Sequence, residues 1–242
     1  KIEIPTNSNL QTIEKFAFSN SKIEEIYFPY SLKELEEGWC SLTYQLNKII
    51  ISPSNDKFIF KEDKYLTYKT EYNNEQIDTL LFVRRDIKNF SIPSNIKILD
   101  SYSFSYSNIE EISIPKNVTK ICEYAFSNCS KLTKIELPTN SNLQTIELYA
   151  FSNSAIKEIS IPINITKICG GTFSNCSKLA KVEIRTNSNL QIIESNAFSD
   201  TAINEIYIPS SVTKICEYVF CNCSNLTKIE IPSNSNLQTI ES

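Results

Sequence analysis

The chain has 242 residues, 41% of them hydrophobic, and its 24 basic and 28 acidic residues leave a net charge of −4. Charges of both signs are interspersed, so we expect no binding of nucleic acid, and no run of about 18 apolar residues is present to span a membrane. The absence of histidine removes the usual general base and the commonest metal ligand. We therefore predict a protein that is not an enzyme, with no catalytic residues, no metal and no cofactor.

Short apolar alternations recur along the whole chain and predict its fold. From Ile92 onward they follow one another at intervals of 22 to 24 residues. Alternation over a short run is typical of a half-buried strand, and this period predicts a solenoid with one strand per coil and a parallel sheet on one face. We expect a single domain over residues 1–242 with about ten strands. The apolar pairs are Ile2/Ile4, Ile26/Phe28, Ile49/Ile51, Phe90/Ile92, Ile112/Ile114, Ile135/Leu137, Ile159/Ile161, Val182/Ile184, Ile206/Ile208 and Ile229/Ile231.

The prolines mark where these strands end. Eight of the nine prolines directly follow an apolar pair, and the ninth, Pro53, follows Ile51 after one residue. Proline has no N–H for a sheet ladder, so it belongs where the chain leaves the sheet. Two types of repeat unit alternate along the chain, so the full period is a double unit of 47 residues, as from Val118 to Ile165. The sequence begins and ends inside a repeat, so we expect any secretion signal or anchor to lie outside this segment.

The segments between the strands share the pattern E-x-x-A-F-S-N. This run is too short for a stable helix on its own, and we predict a single helical turn there, opposite the sheet. Its phenylalanines recur at matched repeat positions, which is typical of a buried core rather than of a binding stripe. The predicted spine consists of Phe18, Phe104, Phe126, Phe151, Phe173, Phe198 and Phe220.

Six of the eight cysteines recur every 47 residues in two columns, of which Cys122 and Cys129 are examples. Equivalent positions two coils apart lie about 10 Å from each other, which is too far for a disulfide. A bond within one unit, between Cys122 and Cys129, is an alternative that the spacing leaves open. The favoured interpretation is that these are small buried thiols in the interior of the coils.

One segment breaks the repeat. Ile51 and Ile92 are 41 residues apart where about 23 would suffice. The extra residues, Ser54–Arg85, contain three short apolar runs, and we predict an island of two or three antiparallel strands projecting from, or folded against, one side of the solenoid. Long insertions are often functional, although a packing spacer is the alternative.

The outward positions of the strands are the candidate binding surface. The residue before each strand alternates in sign from Glu111 to Lys228, so these charges either stabilise one another or form a docking strip. The next outward column contains Tyr27, Ile50 and Tyr207, and exposed aromatic and apolar side chains are favoured anchors for a protein partner.

Three further aromatic residues lie where the repeat is irregular. Trp39, the only tryptophan, stands in a degenerate unit, and Tyr65 and Tyr68 stand in the insertion. We include Trp39, Tyr65 and Tyr68 with Tyr27, Ile50 and Tyr207 as candidate partner-binding residues.

The repeat resembles the signature of BspA-like leucine-rich repeats. The pattern A-F-x-x-C-x-x-L-x-x-I-x-I-P is best seen in Ala125–Ile146 and recurs in Thr172–Ile193. The start of the insertion, Ser52–Phe58, also resembles that family, especially its protist-type members. Cys122 and its equivalents depart from the family pattern, because they occupy a position where glycine is common.

The resemblance implies an α/β fold: a right-handed, horseshoe-like solenoid with short helical turns opposite the sheet, on a cell-surface or extracellular protein. Members of the family are associated with adhesion to host matrix proteins or to other cells, and no catalytic residues are implied. The leading hypothesis is a protein-binding module that uses the strand face and the island. The alternative is a structural spacer or display module, with recognition elsewhere in the full-length protein.

Overall fold

The computed structural model of the protein describes residues 2–69, 78–138 and 140–242. Within these residues the chain forms twenty short β-strands and no helix. Successive coils stack as a parallel β-solenoid of about ten turns. The predicted solenoid is confirmed, whereas its handedness and its horseshoe-like curvature stay predictions.

The alternating segments form a first column of parallel strands, as predicted. Its members are β2 (Glu25–Phe28), β4 (Lys48–Ile51), β9 (Glu111–Ser113), β11 (Lys134–Glu136), β13 (Glu158–Ile161), β15 (Lys181–Ile184), β17 (Glu205–Tyr207) and β19 (Lys228–Glu230). In β13, Ile159 and Ile161 are buried, while Glu158 is exposed. The register places Ile159 beside Val182, so the apolar faces of neighbouring coils pack together, in one core at the N-terminal end and a second core along the later coils.

A second column of strands, which the sequence did not predict, runs along another side of each coil. Its members are β1 (Thr12–Ile13), β3 (Glu34–Leu35), β8 (Ile98–Leu99), β10 (Lys120–Ile121), β12 (Thr145–Ile146), β14 (Lys167–Ile168), β16 (Ile192–Ile193), β18 (Lys214–Ile215) and β20 (Thr239–Ile240). In β10, Ile121 is buried and pairs in register with Leu99 and Ile146. Two residues are too few for alternation to be recognised, because each of these strands contributes only one inward side chain.

The prediction of helical turns is wrong, because the E-x-x-A-F-S-N segments form turns that are not helical. Along Tyr124–Cys129 the amides alternate: those of Tyr124, Phe126 and Asn128 donate to carbonyls of the next coil. The amides between them donate three residues back, within the turn. Tyr124 and Asn128 both have positive φ, 54° and 59°. A helix would direct every amide along its own axis, whereas this alternation joins each turn to its neighbour.

Phenylalanines of the turns stack inside the solenoid, as predicted for six of the seven. From Phe104 to Phe220 the ring centroids of successive coils are 4.6 to 6.0 Å apart and the rings are nearly parallel. Phe18 instead packs, partly buried, against a separate N-terminal core. Equivalent positions in adjacent coils differ mainly by a translation, so large rings at those positions can stack face to face.

The insertion, predicted over residues 54–85 as an island projecting from or folded against the solenoid, is instead continuous with the second column. It contains β5 (Phe58–Lys61), β6 (Tyr65–Tyr68) and β7 (Thr79–Val83), paired antiparallel in that order. β7 then pairs in parallel with β8, so all three strands extend the second column rather than standing apart from it. Residues 70–77 of the predicted insertion lie outside the described residues, and the single-domain boundary of 1–242 stays a prediction.

Arg85 lies at the junction between the insertion and the next regular coil, and it is buried. Its guanidinium donates to the carbonyl oxygens of Ser103 and Tyr102 at 3.0 and 3.1 Å, and it lies 4.5 Å from the Phe82 ring centroid. No salt bridge joins it to a carboxylate among the residues that the structure describes. In the regular coils, the carbonyl equivalent to that of Ser103 accepts a backbone amide from the preceding turn. The Ser103 carbonyl likewise accepts the backbone amide of Val83, so Arg85 adds side-chain donors to a carbonyl that already has a backbone partner.

The cysteines are free thiols, and most of them are buried, as the favoured interpretation predicted. The Cys129 thiol donates to the carbonyl oxygen of Phe104 at 3.1 Å and lies 3.5 Å from the Ser107 hydroxyl. The same donation to a carbonyl of the preceding coil recurs at Cys176 and Cys223. At this position of the turn, coils that carry a thiol alternate with coils that carry a hydroxyl. This alternation gives a structural reason for the 47-residue double unit.

Candidate protein-binding face

The outward face of the first column carries alternating charges in most coils. In register, Glu158 faces Lys181, which in turn faces Glu205. Several lysines nevertheless pair along their own strand, as Lys134 does with Glu136 at 2.7 Å. Such exposed pairs contribute little to stability, because solvent screens them. This part of the face is therefore polar and charged, with little apolar surface for a partner to cover.

The N-terminal end of the same face is different, because apolar side chains are exposed there. Tyr27 and Ile50 lie directly opposite each other on β2 and β4, and Ile50 is 37% exposed. A groove of about 490 Å³ runs from β4 to β5 and is lined by Ile50, Ile59 and Phe60. We call Tyr27, Ile50, Ile59 and Phe60 the apolar patch.

Charged side chains surround the apolar patch. Lys48, Asp63 and Lys69 line the edges of the groove, and Lys48 forms a 2.7 Å ion pair with Glu25 on the neighbouring strand. An apolar centre with a polar rim is the usual anatomy of a protein interface. The sequence predicted Tyr27 and Ile50 as candidates, and the structure brings these two side chains together.

Tyr68 packs against a residue that lines the groove of the apolar patch. Its ring stacks on that of Phe58, with 5.5 Å between the centroids, and Phe58 lines the groove. The Lys57 ammonium lies 5.2 Å from the Tyr68 ring centroid. Burial raises the pKa of Tyr68 to about 12, so the phenol is neutral at physiological pH.

Trp39 and Tyr65 are core residues, which corrects the expectation that they meet a partner. Trp39 is 3% exposed and packs against Phe28 and Phe82. Tyr65 is 5% exposed and packs edge-on against Phe90. Both rings pack among other aromatic side chains in the interior, so neither is available at the surface.

Tyr207 lies on β17, in a different sheet from Tyr27 and Ile50. It faces Glu230 in register and lines a groove of about 350 Å³ with charged neighbours such as Lys181 and Glu205. The structure therefore does not bring Tyr207 into the apolar patch.

Sequence reasoning missed Ile59 and Phe60 as members of the patch, and it missed a column of tyrosines on the turns. The two β5 residues had been recognised only as part of a strand, because their position beside β4 depends on tertiary packing. The tyrosines, Tyr102, Tyr124 and Tyr149, all stand two residues before a core phenylalanine. That recurrence at one position of the turn could have revealed the column.

The described residues offer little for metal or thiol chemistry. No group of three or more Cys, Asp or Glu side chains among them is placed to hold a metal ion. Burial raises the pKa of the Cys40, Cys129 and Cys176 thiols to about 11, so these thiols are protonated at neutral pH and are poor nucleophiles. In the same part of the chain, no helix is long and apolar enough to cross a membrane. That no cofactor is needed stays a prediction.

Comparison with known proteins gives a consistent family match. The BspA-type leucine-rich repeat region matches in six copies, over residues 1–107, 55–180 and 144–242. These ranges together cover the whole chain. A search of the curated proteins finds no match to the sequence.

Several solved structures have a similar fold. A leucine-rich repeat protein from Eubacterium ventriosum is 26% identical, with a TM-score of 0.84 over 96% of this chain and 60% of that chain. A leucine-rich cell surface protein from Faecalibacterium prausnitzii is 23% identical, with a TM-score of 0.66 over 96% of this chain and 55% of that chain. The pneumococcal vaccine antigen PcpA is 23% identical, with a TM-score of 0.68 over 95% of this chain and 61% of that chain. The chain thus spans 55% to 61% of the length of these three proteins, and the last two show likeness of fold alone.

Proposed function

The chain belongs to the BspA-type leucine-rich repeat family, and from that premise we propose that it is a non-enzymatic, protein-binding module of a cell-surface or extracellular protein. Proteins of this family commonly bind other proteins. Of the structurally similar proteins, one is described as a cell surface protein and another as a vaccine antigen. An extended solenoid also suits this role, because it presents a long surface on a rigid scaffold.

The observation that carries the proposal is the apolar patch. Exposed apolar patches with a polar rim often mark protein-binding sites, and Tyr27 and Ile50 adjoin a groove with a charged rim. Aromatic and apolar side chains at the centre of such a patch contribute most of the binding energy in protein interfaces. We therefore propose that the patch is the centre of the interface and that β5 of the insertion forms one of its walls.

The partner that we propose is a host matrix protein or another cell-surface protein, which makes the module adhesive. Interspersed charges give no basic stripe for nucleic acid.

The alternative is a spacer or display module, with recognition elsewhere in the full-length protein. Two observations favour it: the regular coils from residue 91 onward vary little, and the similar solved proteins are considerably longer than this chain. Under this alternative the apolar patch would make no contribution to binding.

The two proposals are separated by measuring binding to immobilised fibronectin, fibrinogen and laminin. The test variant is Tyr27→Thr combined with Ile50→Thr, because threonine keeps the preference for a strand while removing apolar surface. The matched control is Tyr207→Thr, at the same outward position on β17. We expect the wild type and the control to bind at least one matrix protein equally, and the double variant to bind at least about tenfold more weakly.

Equal binding by the double variant would contradict the assignment to the patch. No binding of the wild type to any of the three proteins would contradict adhesion to matrix and favour the spacer.

A further inference from the structure

A second groove lies on the turns of the solenoid, away from the apolar patch. It has a volume of about 410 Å³ and is lined by turn residues from Phe16 to Asn175. Three columns form it: tyrosines on one side, serines along the floor, and mostly asparagines on the other side. We call it the tyrosine groove.

The tyrosine side is a stack of rings. Tyr124 lies between Tyr102 and Tyr149, with centroid distances of 4.9 and 5.1 Å and interplanar angles of 10° and 9°. At one end the Tyr149 ring lies over Gly171, where a Cβ atom would come within 2.2 Å of the ring. Gly38 is similarly close to Phe16 at the other end, where a Cβ would come within 2.5 Å. The two glycines therefore bound the stack.

The floor and the opposite side supply hydroxyl and amide groups. The Asn128 amide donates to the Ser127 hydroxyl at 2.8 Å, which lies 3.0 Å from the Ser152 hydroxyl. Ser105 also lines the groove and is 1% exposed, yet its hydroxyl has no hydrogen-bond partner among the described residues. A buried hydroxyl without a partner is rare, and here it lies beside an open cavity that a ligand could fill.

The groove is uncharged. None of the fifteen described residues that line it is an acid or a base, although 21% of the chain is charged. Burial raises the pKa of Tyr102, Tyr106 and Tyr124 above that of a free phenol, so their hydroxyls stay neutral at physiological pH. No described residue that lines the groove could act as a counter-ion, and the nearby carboxylates of Glu37 and Glu123, which also raise the pKa of Tyr102, disfavour an anion. A neutral, polar ligand is therefore favoured.

The backbone along the groove is already paired. The amides of Tyr124 and Asn128 donate to Leu148 and Ser152 of the next coil, and those of Tyr149 and Asn153 continue the same ladder. An extended peptide usually binds through its main chain to a free strand edge, and these turns present paired amides instead. Recognition must therefore rely on side-chain hydroxyls, side-chain amides and aromatic surface.

The groove is also periodic, because each coil repeats its groups at about the 4.8 Å spacing of parallel strands. A pyranose unit in an extended polysaccharide has a comparable length, so successive sugars would meet equivalent side chains. We propose that the tyrosine groove binds a neutral, linear glycan, whose hydroxyls pair with the serine and asparagine columns and whose rings lie along the tyrosine column. This site is independent of the proposed protein-binding face.

Calorimetry with neutral hexasaccharides tests the proposal: cellohexaose, laminarihexaose, maltohexaose and mannohexaose. The test variant is Asn153→Gly combined with Asn175→Gly, which removes two amides while glycine keeps the positive φ of both residues. The matched control is Asn222→Gly, because Asn222 has the same position and φ in a coil outside the groove.

We expect the wild type and the control to bind at least one of the four hexasaccharides, and the double variant to bind about tenfold more weakly through the loss of two hydrogen bonds. A second pair of variants tests the contribution of one tyrosine hydroxyl. Tyr124→Phe keeps the ring stack but removes the hydroxyl, so it should weaken binding. Tyr218→Phe makes the same change outside the groove and should leave binding unchanged. Circular dichroism and thermal unfolding check that each variant is folded.

Several outcomes would overturn the proposal. One is the absence of binding by every neutral hexasaccharide at millimolar concentration, and another is equal binding by the double variant. Tighter binding of an anionic heparin hexasaccharide would contradict a neutral ligand. Binding of a neutral proline-rich decapeptide in place of the sugars would assign the groove to a peptide.

Discussion

The N-terminal region (residues 2–69 and 78–90) and the regular coils (residues 91–138 and 140–242) use the same repeat but pack their aromatic rings differently. In the regular coils the core phenylalanines stack at interplanar angles of 3° to 15°. In the N-terminal region Trp39 meets Phe28 at 66° and Phe82 at 49°. Identical coils place identical rings in register, whereas altered coils must fit unlike rings into the space between them.

The same difference is visible at the surface. The strand face of the regular coils presents charges, as with Glu158 and Lys181, while that of the N-terminal region exposes Ile50 beside a groove. Regular repetition thus gives a uniform, soluble surface, and the departure from it creates a distinct patch. The protein-binding site is therefore expected where the repeat is broken.

The largest expected effect comes from removing one ring of each core. Phe151→Ala and Trp39→Ala should each lower the free energy of unfolding by about 3–5 kcal/mol, because each leaves a large cavity. The two differ in where protection from hydrogen exchange is lost: Phe151→Ala should affect the coils of Phe126 and Phe173, since each repeat contacts only its neighbours. Trp39→Ala should affect the N-terminal region alone.

Denaturant unfolding and amide exchange of both variants check this prediction. Loss of protection throughout the chain in either variant would show that the two regions share a single cooperative core.

A smaller effect is expected at the junction of the two regions, where Arg85 is buried. Arg85→Ala should cost about 2–4 kcal/mol, because it creates a cavity beside Phe82 and removes the donors to Ser103 and Tyr102. Arg85→Met should cost less than about 1 kcal/mol, since replacing a buried ion by an apolar side chain of similar volume is often nearly neutral. Equal losses in both variants would show that the charge, rather than the volume, holds the regions together.

The smallest effect is a pH dependence from Asp100, which follows β8 at the start of the regular coils. Burial, together with the charges of Glu37 and Glu147, raises the pKa of this carboxyl to about 6, against the opposing effects of the Ser101 backbone amide and Lys120. Because the folded pKa lies above the unfolded value, the folded state takes up a proton as the pH falls from 7 to 5. The wild type should therefore gain up to about 1 kcal/mol of stability over this range relative to Asp100→Asn.

Unfolding curves of both proteins at pH 5 and pH 7 measure this difference. The same change in stability for wild type and variant would mean that Asp100 does not titrate in this range.

The sequence predicted the first strand column well, since Ile159 and Ile161 show an alternation that is local and depends on no partner. It did not predict strands such as Thr145–Ile146, whose two residues contain no period. A single helical turn was predicted for the E-x-x-A-F-S-N run because of its short length, but the contacts that decide its conformation run from Phe126 to the next coil. Turn conformation here is set between coils, and no single segment encodes it.

The candidate site also has features that the sequence predicts and features that it does not. Tyr27 and Ile50 follow from strand alternation, so their exposure could be predicted. The burial of Trp39 and Tyr65 depends on how the insertion packs, and so does the position of Phe60 beside β4. These features result from contacts between segments distant in sequence, which composition and spacing do not specify.

The central claim is that recognition occurs on the N-terminal strand face and that the regular coils act as its scaffold. Hydrogen exchange of the chain in complex with whichever matrix protein it binds tests this directly. We predict slower exchange at Glu25–Phe28, Lys48–Ile51 and Phe58–Lys61. Slowing confined to Lys181–Ile184 and Lys228–Glu230 would contradict the claim.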